Sequence, residues 1–340
     1  MSSRILVILF LLLSGFVQTS LAQNLPNSTK EALNWLEKIA TASRQHNYSG
    51  TFVYFADGHM ETSRITHVVD QSGEREKIEV LDGMPRIVFR NNDELKCYLP
   101  QSKKIVIARR WLRKNFPNLL PQSHLNLNDN YYVKKGNRER VTGYECQVIL
   151  LEPRDNLRYG HKFWIDVETG LLLKAAVMDS DKIIEQFAFA HLKVNEAIDT
   201  ELLEPNLSMT SADWHTTNLK ITVLDKGELE WQVKNPPTGF KKIIEMKRML
   251  AEKSVLVEHI VLTDGLATVS VFIEPIAGNK SLPTTPKFYL SQGAINIYVR
   301  TINNHKVTTV GEVPLETIKL VGDSVFKQNM QSPITKTLKH

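Results

Sequence analysis

Residues 153–192 read PRDNLRYGHKFWIDVETGLLLKAAVMDSDKIIEQFAFAHL, and this stretch predicts three consecutive antiparallel strands. The strands are Tyr159–Val167, Leu171–Met178 and Ile183–Leu192, with tight turns between them. Both faces of these strands are largely apolar, whereas an antiparallel sheet ordinarily keeps one polar face toward water. We therefore expect helices of the chain to cover one face, and a second layer or an exchangeable ligand to cover the other.

The N-terminus has the composition of a secretory signal peptide. Arg4 supplies a positive charge, residues 5–13 form an apolar run, and Ser20-Leu21-Ala22 is a small-x-small cleavage site. The apolar run is too short for a membrane-spanning helix. We expect residues 1–22 to be removed near Ala22 and the mature chain to be an exported, soluble protein.

Length and composition favour two domains. The chain has 340 residues, of which 42% are hydrophobic and 23% charged, values typical of soluble globular proteins. Residues 23–195 predict a helix followed by an antiparallel meander of short strands. Residues 196–217 lose this periodicity and are interpreted as a linker. Residues 218–326 predict a smaller α+β domain, and residues 327–340 a disordered tail.

Capping signals predict one helix near each end of the chain. Ser28 and Glu31 form a capping box, and apolar residues at helical spacing continue to about His46. Pro314 stands where the first residue of a second helix belongs. Short turns such as Asp264-Gly265 predict β-hairpins between these helices.

The chain resembles the MucB/RseB family, periplasmic regulators of the envelope-stress sigma factor. The resemblance rests on motifs that occur in the same order and span most of the mature chain. These motifs are PRD (153–155), RYG (158–160), FWID with TG (163–170), IIEQF (183–187), WQVKNPPTGF (231–240), LTDGLATVSVFIEP (262–275), GAINIYVR (293–300) and VGEVP (310–314).

This resemblance implies an α+β fold that is mainly antiparallel β. The N-terminal domain is expected to be a half-open β-barrel like those of the LolA and LolB lipoprotein carriers, with covering helices, and the C-terminal α+β domain to be smaller. The implied function is to bind the periplasmic region of a transmembrane anti-sigma factor of the RseA/MucA type and to shield it from regulated proteolysis. Lipopolysaccharide or mislocalised lipoprotein would then trigger release.

The alternative function is that of a periplasmic lipid or lipoprotein carrier of the LolA kind, without a regulatory partner. The domain after residue 217 distinguishes the two, because a carrier has no evident use for it. A homodimer is a further open alternative.

A second apolar face predicts a lipid cavity, because burying each methylene of an acyl chain contributes ~0.8 kcal/mol. The alternative is that helices fill the space permanently. Residues 111–130 contain two prolines and either pack on their own sheet or lie across the cavity mouth. The expected cavity and entrance residues are Phe52, Tyr54, Trp111, Phe116, Leu119, Leu120, Trp164, Phe187 and Phe189. The expected contacts for an anionic headgroup are Arg109, Arg110, Arg113 and Lys114.

The C-terminal domain is expected to bind most of the anti-sigma factor, since it offers strand edges and a basic segment, and the cleft between the domains is expected to contribute. The candidate residues are Trp231, Phe240, Lys241, Lys242 and Arg248.

Two cysteines, Cys97 and Cys146, lie in separate strand-like segments. In an oxidising compartment such a pair predicts a disulfide, provided that the two strands are neighbours. The alternative is two unbonded thiols.

No catalytic or metal-binding motif is present, and the histidines are scattered singly. We therefore predict no enzyme, no cofactor and no metal. The net charge of +5 is modest, and an exported protein does not meet nucleic acid. Arg154, Asp155 and Arg158 are interpreted as a structural ion-pair group at the entry of the first hairpin.

Overall fold

The structure is a computed structural model of the chain. It describes residues 27–109, 116–117, 119–120, 127–205, 213–218, 221–223, 229–250, 253–276 and 288–328. The predicted signal segment, residues 1–22, lies outside these ranges.

A helix and a series of strands form the first unit. In chain order they are α1 (Asn27–Ala42), β1 (Tyr48–Ala56), β2 (His59–Asp70), β3 (Gly73–Val80), β4 (Ile87–Asn91), β5 (Glu94–Leu99), β6 (Lys104–Arg109), α2 (Leu127–Asn130), β7 (Tyr131–Val141), β8 (Tyr144–Pro153), β9 (Gly160–Asp166), β10 (Leu172–Asp179), β11 (Lys182–Val194) and β12 (His215–Asn218). Short 3₁₀ segments at Pro100–Ser102 and Thr200–Leu203 interrupt the series.

Twelve strands of the described residues form one sheet in the order β12-β6-β5-β4-β3-β2-β1-β11-β10-β9-β8-β7. Neighbouring strands are antiparallel except that β12 runs parallel to β6. The sheet is open, because its edge strands β7 and β12 do not pair with each other. The pairing of β1 with β11 at the centre joins the first half of the meander to the second.

The three strands predicted from residues 153–192 are present as β9, β10 and β11. Their register separates two faces: Phe163 pairs with Ala175 and Ala175 with Phe187, whereas Trp164 pairs with Lys174 on the other side. We call the face that carries Phe163 and Phe187 the inner face. As the sequence predicts, residues on both faces are buried.

Helix α1 covers part of the inner face, as expected from its apolar spacing. Its buried residues include Leu36 and Ile39. Lys135 of β7 lies on the inner face, because it pairs with Ile149 and Ile149 pairs with Phe163, and its Nζ contacts a carboxylate oxygen of Glu31 in α1 at 2.8 Å. The helix ends at Ala42, a turn before the predicted end near His46.

A second, smaller sheet and a helix form the second unit. Its elements are β13 (Ile221–Val223), β14 (Trp231–Val233), β15 (Lys241–Leu250), β16 (Lys253–Thr263), β17 (Thr268–Pro275), β18 (Phe288–Gln292), β19 (Ile295–Ile302), β20 (His305–Gly311), α3 (Leu315–Asp323) and β21 (Val325–Lys327). Seven of these strands form a sheet in the order β13-β15-β16-β17-β20-β19-β18, and β14 pairs with β21.

Helix α3 packs closely on one face of the second sheet and begins at Leu315, one residue after the start predicted at Pro314. Gly322 permits this approach, because a Cβ there would lie 2.3 Å from Cδ1 of Tyr298. The predicted fold class is therefore confirmed: an open, mainly antiparallel sheet with few helices, followed by a smaller α+β unit.

The segment predicted as a linker, residues 196–217, is partly built into the first unit. Leu203 is buried, and residues 215–217 belong to β12. The predicted tail, residues 327–340, begins inside β21, because Lys327 pairs with Trp231, and residues 329–340 lie outside the described residues. The division into two domains stays a prediction.

The predicted disulfide between Cys97 and Cys146 is wrong, because the two cysteines are not bonded to each other in this structure. Cys97 lies on β5 and Cys146 on β8, with β4, β3, β2, β1, β11, β10 and β9 between them in the sheet. Neighbouring strands are about 4.8 Å apart, so the two thiols are far beyond bonding distance along the sheet.

Candidate functional site

An aromatic cluster lies on the inner face where β1 meets β11. Phe52 of β1 pairs with Phe189 of β11, and Phe187 lies two residues away on the same face. Phe116, from the segment before α2, packs onto all three rings. Its ring centroid is 5.4 Å from that of Phe52, 5.1 Å from Phe189 and 5.6 Å from Phe187, with the last pair stacked at 9°. We call these four residues the aromatic site.

Phe52, Phe116 and Phe189 of the aromatic site are buried in this structure, and Phe187 is partly exposed. Phe116 and Leu120 are each only 3% exposed, and Leu119 packs against the same core. These three residues therefore have the apolar environment that their side chains require. Trp111, Arg110, Arg113 and Lys114 lie outside the described residues, as does the side chain of Arg109, so the predicted headgroup contacts stay a prediction.

Trp164 does not belong to the aromatic site, because it lies on the opposite face of the sheet. Its indole N–H donates a hydrogen bond to Oε2 of Glu139 at 2.6 Å. The ammonium groups of Lys162 and Lys174 lie 4.5 Å and 4.3 Å from the ring centroid. Cationic side chains and one carboxylate thus cover this part of the second apolar face. The prediction that Trp164 lines the cavity is wrong.

Tyr54 connects the aromatic site to the second unit. Its ring centroid lies 4.7 Å from that of Phe187, and its hydroxyl lies beside the Glu185 carboxylate. Burial, followed by the negative charge of Glu185, raises the pKa of Tyr54 above its ordinary value. The same carboxylate accepts a hydrogen bond from the backbone N–H of Ala294 at 3.0 Å, and burial raises the pKa of Glu185. The backbone N–H of Gly293 donates to Asp57.

A buried ion pair forms a second contact between the units. Nη1 of Arg158 donates to Oδ2 of Asp264 at 2.7 Å, and neither side chain is exposed to solvent. The hydroxyl of Tyr131 donates to the same oxygen at 2.9 Å. Burial, then the charge of Asp264, raises the pKa of Tyr131. We call this group together with Glu185–Ala294 the unit junction.

The predicted ion pair at the hairpin entry is confirmed in part. Nε of Arg158 donates to Asp155 at 2.9 Å. Arg154 instead donates to the backbone carbonyl of Asn128 and lies over the ring of Tyr132. Sequence reasoning missed the role of Asp264, which it treated only as a turn residue.

The predicted partner-binding residues do not form one surface. Trp231 and Phe240 are buried in the core of the second unit. Lys242 is paired with Glu245, and the guanidinium of Arg248 lies 4.6 Å from the ring centroid of Phe272. Lys241 is exposed.

One cluster has the composition of a metal site but is occupied by an arginine. Ligand atoms of His67, Glu74 and Glu76 lie within 4.8 Å of one another. Arg90 donates to Glu74 and, at 3.2 Å, to Glu76. Its guanidinium therefore supplies the positive charge that the two carboxylates need.

Among the described residues, no helix has the length and apolar character needed to cross a membrane.

The family model of the MucB/RseB N-terminal domain matches residues 31–207, and that of the MucB/RseB C-terminal domain matches residues 225–326. The chain belongs to the MucB/RseB family. This confirms the resemblance found in the sequence.

Relatives of this family member are regulatory proteins of sigma factors. The chain is 28% identical over 299 residues to the sigma factor AlgU regulatory protein MucB of Pseudomonas aeruginosa, a match that covers 87% of this chain and 90% of MucB. It is 24% identical over 295 residues to the sigma-E factor regulatory protein RseB of Escherichia coli K12, covering 85% and 89%.

The fold is also that of a solved complex from the family. The structure of the Pseudomonas aeruginosa MucA/MucB complex matches with a TM-score of 0.68 at 27% identity, covering 88% of this chain and 99% of that chain. In that complex the relative, MucB, is bound to MucA.

Proposed function

We propose that this protein is a periplasmic regulator that binds the periplasmic region of a transmembrane anti-sigma factor, shields it from proteolysis and releases it when a lipid binds the first unit. Family membership and the MucA/MucB complex of a relative support the partner. The predicted signal segment supports the compartment. The observation that carries the lipid response is the packing of Phe116 in the aromatic site.

Phe116 occupies the aromatic site as a side chain from outside the sheet. The three rings around it belong to the neighbouring strands β1 and β11 and form an apolar surface that Phe116 covers. An acyl chain has the same apolar chemistry, and each buried methylene contributes ~0.8 kcal/mol. A lipid that fills this site therefore competes with Phe116 and with the residues that pack beside it.

Competition at this site affects partner binding only if the segment that carries Phe116 influences the second unit differently when it is packed in the aromatic site and when lipid has displaced it. The path is short: Phe116 stacks on Phe187, and Phe187 contacts Tyr54. Tyr54 in turn shares Glu185 with the backbone of Ala294 in the second unit. A change in the stacking of Phe187 thus reaches the unit junction through one intervening side chain.

The test uses a variant in which Phe116, Leu119 and Leu120 are replaced by serine. The purified full-length chain is incubated with the purified periplasmic region of its anti-sigma factor, and release is measured as lipopolysaccharide is added. We expect the variant to bind the partner as the wild type does without lipid, and to change the lipid concentration at half-release by at least about fivefold. Such a change is ~1 kcal/mol.

The matched control replaces three exposed apolar residues of the same unit, Phe55, Leu81 and Met84, by serine. This control is expected to leave the release curve unchanged. If the wild type and the triple serine variant gave identical release curves with unchanged circular dichroism, Phe116, Leu119 and Leu120 would have only a packing role. Transfer of lipid between vesicles without any binding of the anti-sigma factor would favour a carrier.

A further inference from the structure

The edges of the two large sheets differ in how they are protected against pairing with another strand. Natural edge strands are commonly kept short or carry lysines, bulges or prolines. The long edge strand β7 carries four basic residues and a bulge after Lys135. The edge strands β12 and β13 contain only four and three residues. These three edges are therefore poor templates for strand addition.

The remaining edge, β18, is only one residue longer than β12, but it carries no charge, bulge or proline. Its five residues, FYLSQ, are all exposed, and they include neither a charge nor a proline. Phe288 is 56% exposed and Leu290 is 50% exposed. Among the described strands, β18 pairs with β19 alone. An uncharged, apolar edge of this kind is the type of surface that proteins use to bind an extended peptide.

The turn after β18 determines which backbone groups face outward. Gln292 pairs with Ile295 across a two-residue turn, and Gly293 has φ 56, the positive value that suits the first position of a type II′ turn. The closing pair of such a hairpin exchanges hydrogen bonds, and bonded positions alternate along the strand. The N–H and C=O groups of Tyr289 and Ser291 therefore point away from β19, toward the edge.

We propose that β18 binds one extended segment of the anti-sigma factor, which adds to the second sheet as a further strand. This inference rests on the proposed function and names the surface that performs it. Phe288 and Leu290 share one face of the sheet with Val299 and Ile297, so the segment carries apolar side chains on that face. On the other face the ammonium of Lys319 lies 4.7 Å from the ring centroid of Tyr289. An acidic residue of the segment fits beside this lysine.

The position of β18 favours binding of a single extended chain over binding of a second folded copy. The turn at its end contacts the first unit, since Gly293 and Ala294 donate their backbone N–H groups to Asp57 and Glu185. A strand that runs past Gln292 therefore reaches both units. One added strand needs about 4.8 Å of space in the plane of the sheet. A second copy of this chain brings an entire folded sheet into the same region.

Ser291→Pro and Leu290→Lys test the proposal in different ways. The proline removes an outward-facing N–H without removing a backbone bond to β19, but it also removes the hydrogen bond that the Ser291 hydroxyl donates to Asn296 of β19. The lysine places on β18 the type of charge that β7 carries. Leu256→Lys is the matched control, because Leu256 is 58% exposed on β16 of the same unit. Circular dichroism and the melting temperature verify the fold of each variant.

Binding of the purified periplasmic region of the anti-sigma factor to the full-length chain is measured by calorimetry. We expect each β18 variant to weaken binding at least about tenfold and Leu256→Lys to change it less than twofold. In the wild type, hydrogen exchange at the amides of Tyr289 and Ser291 is expected to slow when the partner is added.

Each other outcome overturns a defined statement. Wild-type affinity in both β18 variants, with partner binding intact, overturns the assignment of β18 and leaves the proposed function standing. Failure of the wild type to bind overturns the proposed function and this inference with it. A third outcome is that the amides of Tyr289 and Ser291 exchange slowly without the partner and that the chain forms a dimer which Ser291→Pro dissociates. In that case a second copy of the chain occupies β18, and the proposal that a peptide binds there is wrong.

Discussion

The buried ion pair between Arg158 and Asp264 offers the sharpest test of how the two units hold together. Both side chains are fully buried, and Oδ2 of Asp264 accepts from Arg158 at 2.7 Å. The other oxygen, Oδ1, accepts from the backbone N–H groups of Leu266 and Ala267 and so fixes the turn of the β16–β17 hairpin. Asp264→Asn keeps an oxygen for these two amides. The amide nitrogen then faces the guanidinium, donor against donor.

The expected cost follows from the partners that Arg158 keeps. Removing one partner of a buried pair costs about 3–5 kcal/mol, because a charge is left in the interior. Arg158 retains Asp155 at 2.9 Å and the backbone carbonyl of Thr238 at 2.6 Å. We therefore expect the lower end of that range, a loss of about 3 kcal/mol in the free energy of unfolding.

Urea-induced unfolding, followed by circular dichroism and tryptophan fluorescence, measures this loss. The matched control is Glu145→Gln, which removes a partner from the Arg138–Glu145 pair at 3.0 Å. The side chains of Arg138 and Glu145 are 58% and 53% exposed. An exposed pair contributes about 0.5 kcal/mol or less. If Asp264→Asn lowered the free energy of unfolding no more than Glu145→Gln does, the buried pair would not hold the junction.

Three further measurements test the structure elsewhere. Burial, followed by a nearby arginine, lowers the pKa of His259 to about 3, so the unfolded chain binds more protons between about pH 6.5 and 3. Between pH 7 and 5 the wild type should lose about 2 kcal/mol more stability than His259→Leu, and an equal loss in both would refute this. Burial raises the pKa of the Cys146 thiol to about 12, so this thiol should not react with thiol reagents in the folded chain. After unfolding without reductant, both Cys146 and Cys97 should react with the reagent. If neither reacted, the disulfide would be restored as the interpretation. Gly322→Ala should cost about 1–3 kcal/mol in urea unfolding, since its Cβ would meet Tyr298 at 2.3 Å, and an unchanged midpoint would contradict that packing.

Local signals predicted those elements whose partners are adjacent in sequence. Strands β9, β10 and β11 are joined by short turns, so each pairs with its neighbour along the chain, and the apolar pattern indicated that both faces are buried. Arg158 and Asp155 are three residues apart, and their pairing was likewise foreseen. Pro314 marked the start of α3 for the same reason, because a first helical turn is a local property.

Contacts between distant segments were not predictable in this way. Asp264 is 106 residues from Arg158, and a turn between two strands accounts for an aspartate without any partner. The error over Cys97 and Cys146 has a related cause. Because β11 returns to pair with β1, the early strands extend to one side of this pair and the later strands to the other. Cys97 and Cys146 both lie in segments that were correctly predicted as strands, but these strands lie in different parts of the sheet.

The pairing of β1 with β11 also places the aromatic site beside the unit junction. Phe52 and Tyr54 stand two residues apart on β1, and Phe187 and Phe189 face them from β11. The same strands end next to the second unit, where Glu185 accepts the N–H of Ala294. Two hydrogen-bonded strands thus connect the rings to the contact with the second unit. The turn that meets Glu185 also closes the β18–β19 hairpin, so a ligand in the first unit and a peptide on β18 would act on opposite ends of one short structural path.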